Sequence, residues 1–399
     1  MRIVEWTTAG LRVAPATIPE ELAQDAAVEV IPLDSILTVS RADPGPAPPT
    51  VAPPSPRRLS VEQTAVTITL IDGQRLIGGI PLQTVGGEPL AEAQTDAILI
   101  ESALMGRIRI SFEEIASIDL KPVTSAHQGA RDSAPPQTDA IILANGDTVR
   151  GFIESISQSV TILTSADSKD EDRQTFPISR CAQILFANPQ KPLMGQVLWI
   201  GERGQPLQVV RLSEFSFRTP GQVSFRPVIA GDSSATINIP LNQLAGIMPQ
   251  AQAILPLSSL PRTRAEPASS RPWSQPPAVT GVETLPLGLG IIEIPGAMTI
   301  EWRIPDDASA LLGRVRLNPD AVIWGDCNLT LELVDASGSA ASIWSGRLYN
   351  KTPEFELRHT FERATHGRTL RARLESGEGG DVQDRVLLDS FLFIVTPQQ

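Results

Sequence analysis

The residues of this 399-residue chain that could act chemically on a bound molecule are few: three histidines, two cysteines and scattered acids. General acid–base or nucleophilic catalysis needs a histidine, or a pair of carboxylates tuned apart, held close to a nucleophile or to substrate. His127 falls in a polar stretch, whereas His359 and His366 stand seven residues apart near the C-terminus with no Ser/Asp partners suggested by spacing. The adjacent acids Glu113-Glu114 and Asp306-Asp307 read as solvated charge. There is no HExxH helix and no pair of closely spaced cysteines, so the zinc signatures are absent. The glycines of GLGIIEIPG, Gly288 to Gly296, have no following helix to form a phosphate cradle. Cys181 and Cys327 are assigned to different domains, which leaves no disulfide framework and predicts two buried free thiols. The expectation is a protein without catalytic residues or a cofactor.

Charge narrows the partners further. The net charge of −12 opposes binding to polyanions, and a single tyrosine with six tryptophans gives few platforms for stacking bases, so nucleic acid is not expected. No run of about 18 apolar residues occurs, so no transmembrane segment is expected. The opening MRIVEWTTAGLRV has no apolar core of a secretory signal. Four lysines against 29 arginines point to a GC-rich, bacterial genome.

The elements that would position any site are organised as a repeat. Four nonapeptides align without a gap: IPLDSILTV (Ile31 to Val39), ISFEEIASI (Ile110 to Ile118), FPISRCAQI (Phe176 to Ile184) and IPLNQLAGI (Ile239 to Ile247). Positions 1, 3, 6 and 9 are always apolar, which predicts a strand end, one helical turn presenting positions 3 and 6, and a new strand at position 9. Upstream of two of them lie LIDGQRLIGGI (Leu70 to Ile80) and LANGDTVRGFI (Leu143 to Ile153), whose Asp72-Gly73 and Asn145-Gly146 predict type I′ hairpins. Gly78 and Gly151 recur at the same offset and predict a bulge or sharp bend where a small sheet coils. About five short strands per unit resembles, in size and strand count, a small SH3-like or Sm-like barrel.

The domain reading follows: a partial or degenerate β repeat at 1–41, a Pro-rich linker at 42–60, barrel-like repeats at 61–122, 139–190 and 191–250, and a linker at 123–138 between the first two of these. A second, Pro/Ser-rich linker at 251–280 precedes a β-sandwich at 281–399, and Trp273 within that linker is expected to dock on a neighbouring domain. In the first repeat a helical piece is expected at Pro19 to Ala27, and the opening hairpin is missing or degenerate. That incompleteness predicts a chain truncated at its N-terminus, with an export signal upstream and hence a periplasmic or extracellular location.

From Gly281 onward eight alternating segments predict antiparallel strands, clearest in CNLTLELVD and RTLRARLES. Together with the repeats they define the expected fold class: mainly β, with tandem small β-barrel-like repeats followed by a C-terminal jelly-roll β-sandwich. EWRIPDDA, CNLTLELVDASGSAASIWSGRL and HGRTLRARLESGEGGDVQDRVLLDSFLFI make this segment resemble the NPCBM family of carbohydrate-binding modules. Leu331, Leu333, Asp335 and Gly338 match that family's first motif, Ile343, Trp344 and Ser345 its second, and Leu370, Leu374, Gly377 and Asp384 its third. Leu388 stands where the family usually has Trp.

The resemblance implies a galactose-binding-like jelly roll and a sugar ligand. A sugar site needs an aromatic face for the pyranose C–H surface and charged or amide groups for its hydroxyls. Trp324 with Asp326, in WGD ahead of a strand, is the first choice among Trp302, Trp324, Trp344 and Tyr349. Trp344 and Arg347 come next, and Tyr349 completes the ligand-binding set. Jelly rolls also hold structural calcium, but no DxDxDG loop marks one here. The expected function is non-catalytic carbohydrate binding at or outside a bacterial envelope. The alternative is an assembly protein whose repeats contact other proteins through strand edges.

Overall fold

The computed structural model describes residues 2–7, 10–14, 29–31, 39–40, 63–81, 96–120, 137–164, 172–202, 205–219, 221–229, 235–268, 275–362, 365–378, 380 and 383–396. The helical piece at Pro19 to Ala27, the linkers at 42–60 and 123–136, His127 and Trp273 lie outside these residues. The chain divides into two units, one built from residues 1–202 and 207–249 and the other from 203–206 and 250–399.

In the first unit, β1 (Arg2–Thr7), β2 (Gly10–Ala14) and β3 (Glu29–Ile31) form a three-stranded sheet, and β4 (Val39–Ser40) follows. Three further repeats share one plan. The first of them is β5 (Gln63–Leu70), β6 (Arg75–Pro81), β7 (Ala97–Ser102), β8 (Gly106–Ser111) and β9 (Ile115–Asp119). The next is β10 (Asp139–Leu143), β11 (Thr148–Ile156), β12 (Ser159–Leu163), β13 (Arg173–Pro177) and β14 (Cys181–Leu185). The last is β15 (Gln196–Ile200), β16 (Gln208–Thr219), β17 (Gln222–Pro227), β18 (Ile237–Pro240) and β19 (Leu244–Met248).

In each, the fifth strand returns to pair with the first, giving the order 5-1-2-3-4. A 3₁₀ turn separates strands four and five at Phe112–Glu114, Ile178–Arg180 and Leu241–Gln243. This is the strand, turn, strand unit that the nonapeptides predict. Their apolar positions explain it: Ile110, Phe112, Ile115 and Ile118 are all buried, and Cys181 occupies the core place that Ile115 and Leu244 hold in the sister repeats. No repeat closes into a barrel among the described residues; instead the repeats share one 16-stranded sheet.

The junctions join like with like. β9 pairs antiparallel with β14, Ile118 facing Ile184, and β19 pairs with β4, Ile247 facing Val39, so position 9 of one nonapeptide always meets position 9 of another. Where β6 meets β16, Arg75 faces Val209, residues that lie across from Thr69 and Trp199 on the first strands of their own repeats. The buried amide of Gln74 secures this junction: its Nε2 donates to the Val228 carbonyl (3.0 Å) and its Oε1 accepts from the Arg211 N–H (2.8 Å).

The two hairpins differ from the expected type. Gly73 and Gly146 have φ of 81° and 93°, but neither Asp72 nor Asn145 is at positive φ. The Gly73 N–H donates to the Leu70 carbonyl (3.0 Å) while the Leu70 N–H donates to the Gln74 carbonyl (2.8 Å), and Leu143, Gly146 and Asp147 repeat the pattern. Each loop is therefore three residues long, a type I turn closed by a left-handed glycine, rather than a two-residue type I′ turn. A single left-handed residue suffices because the bulge absorbs the strand twist.

Gly78 and Gly151 both stand where a neighbouring strand leaves no room for a side chain. A Cβ on Gly151 would lie 2.1 Å from the Leu163 carbonyl oxygen, and one on Gly78 would lie 2.8 Å from that of Glu101. At Gly151 the strand leaves β10, its partner through Asp139, and takes up β12 from Phe152 onward.

The second unit is a two-sheet sandwich. β20 (Ile254–Pro256), β21 (Arg262–Pro267) and β22 (Ala278–Thr280) precede β23 (Ile291–Ile294), β24 (Met298–Arg303), β25 (Ala308–Leu317) and β26 (Asp326–Val334). β27 (Ala340–Tyr349), β28 (Glu354–Thr360), β29 (Thr369–Ser376) and β30 (Val386–Val395) complete it. One sheet runs β22-β23-β30-β25-β28 with β20 also on β30, and the other runs β21-β24-β29-β26-β27. Ile292, Leu311, Val315, Leu388 and Phe393 of the first sheet and Ile300, Trp302, Leu329, Leu331 and Leu370 of the second form one core.

The assignment of 251–280 to a linker is thereby corrected. Ile254 pairs with Ile394, Ala265 with Ile300 and Val279 with Ile292, so three strands of the sandwich come from this segment. β21 reads as linker because Arg264, Ala265, Glu266 and Pro267 are all exposed and it lies at a sheet edge, where charges and proline are tolerated.

Candidate functional site

β26 begins where the loop after β25 ends, and this end of the sandwich gathers most of the expected site. Pro319–Ala321 forms a 3₁₀ turn capped by Asn318, whose Oδ1 accepts the Asp320 N–H (3.0 Å). The Gly325 N–H then bonds back to the Ala321 carbonyl (2.7 Å). This tight return leaves Ile323 and Trp324 outside the core, at 73% and 68% exposure. Both are large apolar side chains facing solvent.

Asp326 opens β26 opposite Tyr349, and Asn328 lies opposite Arg347. The Arg347 guanidinium donates from Nε to Asp326 Oδ1 (2.7 Å) and from Nη2 to Asp326 Oδ2 (2.9 Å), a two-point fork. Nη2 also reaches Glu378 Oε2 at 3.5 Å. The guanidinium carbon sits 5.6 Å from the centre of the Tyr349 ring. The hydrogen bond to Asp326, then its charge, hold the Arg347 pKa above its ordinary value, so the cation is permanent. Nη1 takes no part in these contacts.

The backbone of Asp326 is anchored in turn. The Asp326 N–H donates to Asp384 Oδ1 (3.2 Å), and its carbonyl accepts from the Gly377 N–H (2.6 Å). Close approach requires glycine at 377, since a Cβ there would come within 2.5 Å of the Asp326 carboxyl carbon. Glu378, which joins the cluster, carried no sequence signal beyond its place in the GEGG turn.

Trp344 is not brought to this cluster. It lies on the opposite face of β27 from Arg347, its ring over Gly346 and edge-on to Phe355 (centroids 5.6 Å apart, planes at 67°), packed against the core. Trp302 is 1% exposed and is wholly a core residue.

The outer face of the β21-β24-β29-β26-β27 sheet is covered by charges that pair with one another. Arg371 bonds Glu301 (2.7 Å), Arg373 bonds Glu332 (3.2 Å) and Arg264 approaches Glu301 (3.7 Å). The charges on this sheet face therefore neutralise one another.

His366 pairs with Asp306 at 2.9 Å on the surface, and His359 lies edge-on to Phe361 with burial lowering its pKa. Among the described residues no group of three or more His, Cys, Asp or Glu is arranged to hold a metal ion. None of their helices is long and apolar enough to cross a membrane.

Both thiols are buried and unpaired with each other. Burial, reinforced by the charges of Asp384 and Asp326, pushes the Cys327 pKa up to about 12. Since the thiolate is the nucleophile, neither cysteine is expected to react with an aromatic disulfide reagent at pH 8 in the folded protein, and both should react after denaturation. Rapid labelling of the native chain would contradict this.

No family model matches the chain, and no curated protein matches it. Among solved structures it is similar to a CBM51 module from Clostridium perfringens GH95 in complex with methyl-galactose, at 10% identity and a TM-score of 0.27, covering 35% of this chain and 99% of that one. A family 6 carbohydrate-binding module shows 11% identity and a TM-score of 0.22, covering 36% of this chain and 93% of that one. The M60 catalytic domain with the CBM51-1 and CBM51-2 domains from Clostridium perfringens ZmpB shows 9% identity and a TM-score of 0.29, covering 70% of this chain but 30% of that one.

Proposed function

We propose that the protein is a non-catalytic binding protein, exported to or beyond a bacterial envelope, whose C-terminal sandwich takes a carbohydrate. The observation that carries this reading is Trp324, 68% exposed on a loop that the Gly325–Ala321 bond holds in place, immediately before the Asp326–Arg347 fork. An indole held in water gains by covering the C–H face of a pyranose, and the Arg347 guanidinium supplies directional bonds for ring hydroxyls. Tyr349 stiffens the guanidinium by stacking under it. Trp344 has no part in this site.

A glycan array probed with the full chain, followed by titration of tryptophan fluorescence with each glycan retained, tests the reading. Saturable binding to at least one neutral glycan is expected. A chain that melts cooperatively and binds none of them would reject it.

A further inference from the structure

Left-handed backbone in the second unit falls mostly to glycine, as at Gly281, Gly288, Gly338 and Gly367. A residue with a Cβ adopts this conformation only at a cost in free energy, because the Cβ crowds the following carbonyl oxygen. Among the described residues of this unit Leu287 (φ 63°), Gln383 (φ 58°) and Ser390 (φ 57°) do so all the same. Two of them have compensation inside the fold: the Leu287 side chain is buried, and Ser390 Oγ donates to Asp389 Oδ1 (2.9 Å). Gln383 instead holds its side chain exposed.

The turn at Gln383 is built into the candidate site. A Cβ on Gly325, the residue between Trp324 and Asp326, would lie 3.1 Å from the Gln383 carbonyl oxygen. That carbonyl accepts the Arg385 N–H (2.8 Å), and the Arg385 carbonyl accepts the N–H of Asn318 (2.8 Å), the cap of the 3₁₀ turn ahead of Trp324. Asp384 Oδ1 takes the Asp326 N–H at 3.2 Å. Main-chain groups and the Asp384 carboxylate thus hold residues 383–385 against the Trp324 loop, and the Gln383 side chain takes no part in these bonds. A turn needed only for its shape would be served by glycine at this position, as it is at 338 and 367.

We propose that Gln383 is a further ligand-binding residue, whose carboxamide bonds the sugar that covers Trp324. This role rests on the carbohydrate reading and adds to it a residue outside the Trp324, Asp326, Arg347 and Tyr349 set. A primary carboxamide carries two N–H donors and a carbonyl acceptor in one plane. Adjacent hydroxyls of a pyranose offer one oxygen as acceptor and the other as donor, so a single amide bonds both. A residue held off its preferred backbone conformation beside an exposed indole, with its polar end in solvent, is the form that stored strain takes at a binding site.

Two variants of the full chain separate the backbone from the amide. Gln383→Gly removes the side chain and relieves the left-handed backbone, whereas Gln383→Met keeps the conformation and the reach and removes only the hydrogen-bonding groups. For a glycan that the wild-type chain retains, fluorescence titration should show binding weakened by about tenfold in both, the loss expected for one or two neutral hydrogen bonds. The melting midpoint should stay level for Gln383→Met and stay level or rise by about 2 °C for Gln383→Gly. Wild-type affinity in Gln383→Met overturns the proposal and leaves the carbohydrate reading standing. A lowered midpoint in Gln383→Gly overturns it too, since the side chain would then serve the fold. If the wild-type chain retains no glycan, the carbohydrate reading fails and this role is overturned with it.

Discussion

Trp324→Ala is expected to weaken binding of a retained glycan by roughly thirtyfold, corresponding to about 2 kcal/mol for an aromatic anchor, and to leave the melting transition of the sandwich in place. The two halves of this result have one cause. Trp324 is 68% exposed, so its removal opens no cavity, and surface substitutions of this kind change stability by less than about 0.5 kcal/mol. Trp302 supplies the contrast: at 1% exposure it fills the core between Ile300 and Ile304, and Trp302→Ala should cost about 3–5 kcal/mol of folding free energy. Isothermal titration and denaturant unfolding of both variants separate a ligand platform from a packing residue. Equal binding by wild type and Trp324→Ala would remove the indole from the site.

Gly151→Ala should destabilise the first unit by about 1–3 kcal/mol, the range for forcing an extra carbon into a packed site. The obstacle is main chain, the Leu163 carbonyl 2.1 Å from the added Cβ, and it cannot swing aside as a side chain would. Either β12 separates from β11 or β11 shifts at Gly151, and both break the ladder from Phe152 to Ile156. Phe152→Ala, one residue on, is the control: Phe152 is 65% exposed and its loss should be nearly neutral. A urea midpoint for Gly151→Ala that matches wild type would show that β11 and β12 are not held this closely.

The repeats were legible because their signal is local and redundant. Four nonapeptides with apolar residues at 1, 3, 6 and 9 need only one physical reading, and 3₁₀ turns fall within the three that the structure describes in full, residues 32–38 of the first lying outside the described residues. The eight strands expected from Gly281 onward were likewise visible in alternation, and eight, β23 to β30, occupy the chain from Ile291 to Val395. What failed was structure decided at long range. β20 and β22 are three residues each, too short to show a period; β20 owes its existence to β30 near the other end of the chain, and β22 to β23 across an intervening loop. β21 displays Arg264 and Glu266 because its outer side is solvent, and a charged edge strand has no periodicity to distinguish it from a linker.

The candidate site divides the same way. The WGD sequence marked a loop before a strand, and strand register then placed Arg347 and Tyr349 across from Asn328 and Asp326. The face of β27 on which Trp344 falls depended on Gly346 leaving room for its ring, and Glu378 on a turn whose direction only the Asp326–Gly377 bond settles.

Position 9 facing position 9 makes each of those junctions isologous: the same surface stands on both sides of a local two-fold axis. Such a contact forms equally well between two separate copies of one repeat. Joining the copies in a single chain adds no bond to it, but replaces a concentration-dependent encounter with one held at an effective concentration of order millimolar. Tandem duplication of a self-pairing ancestor therefore yields this architecture with its interfaces already in place.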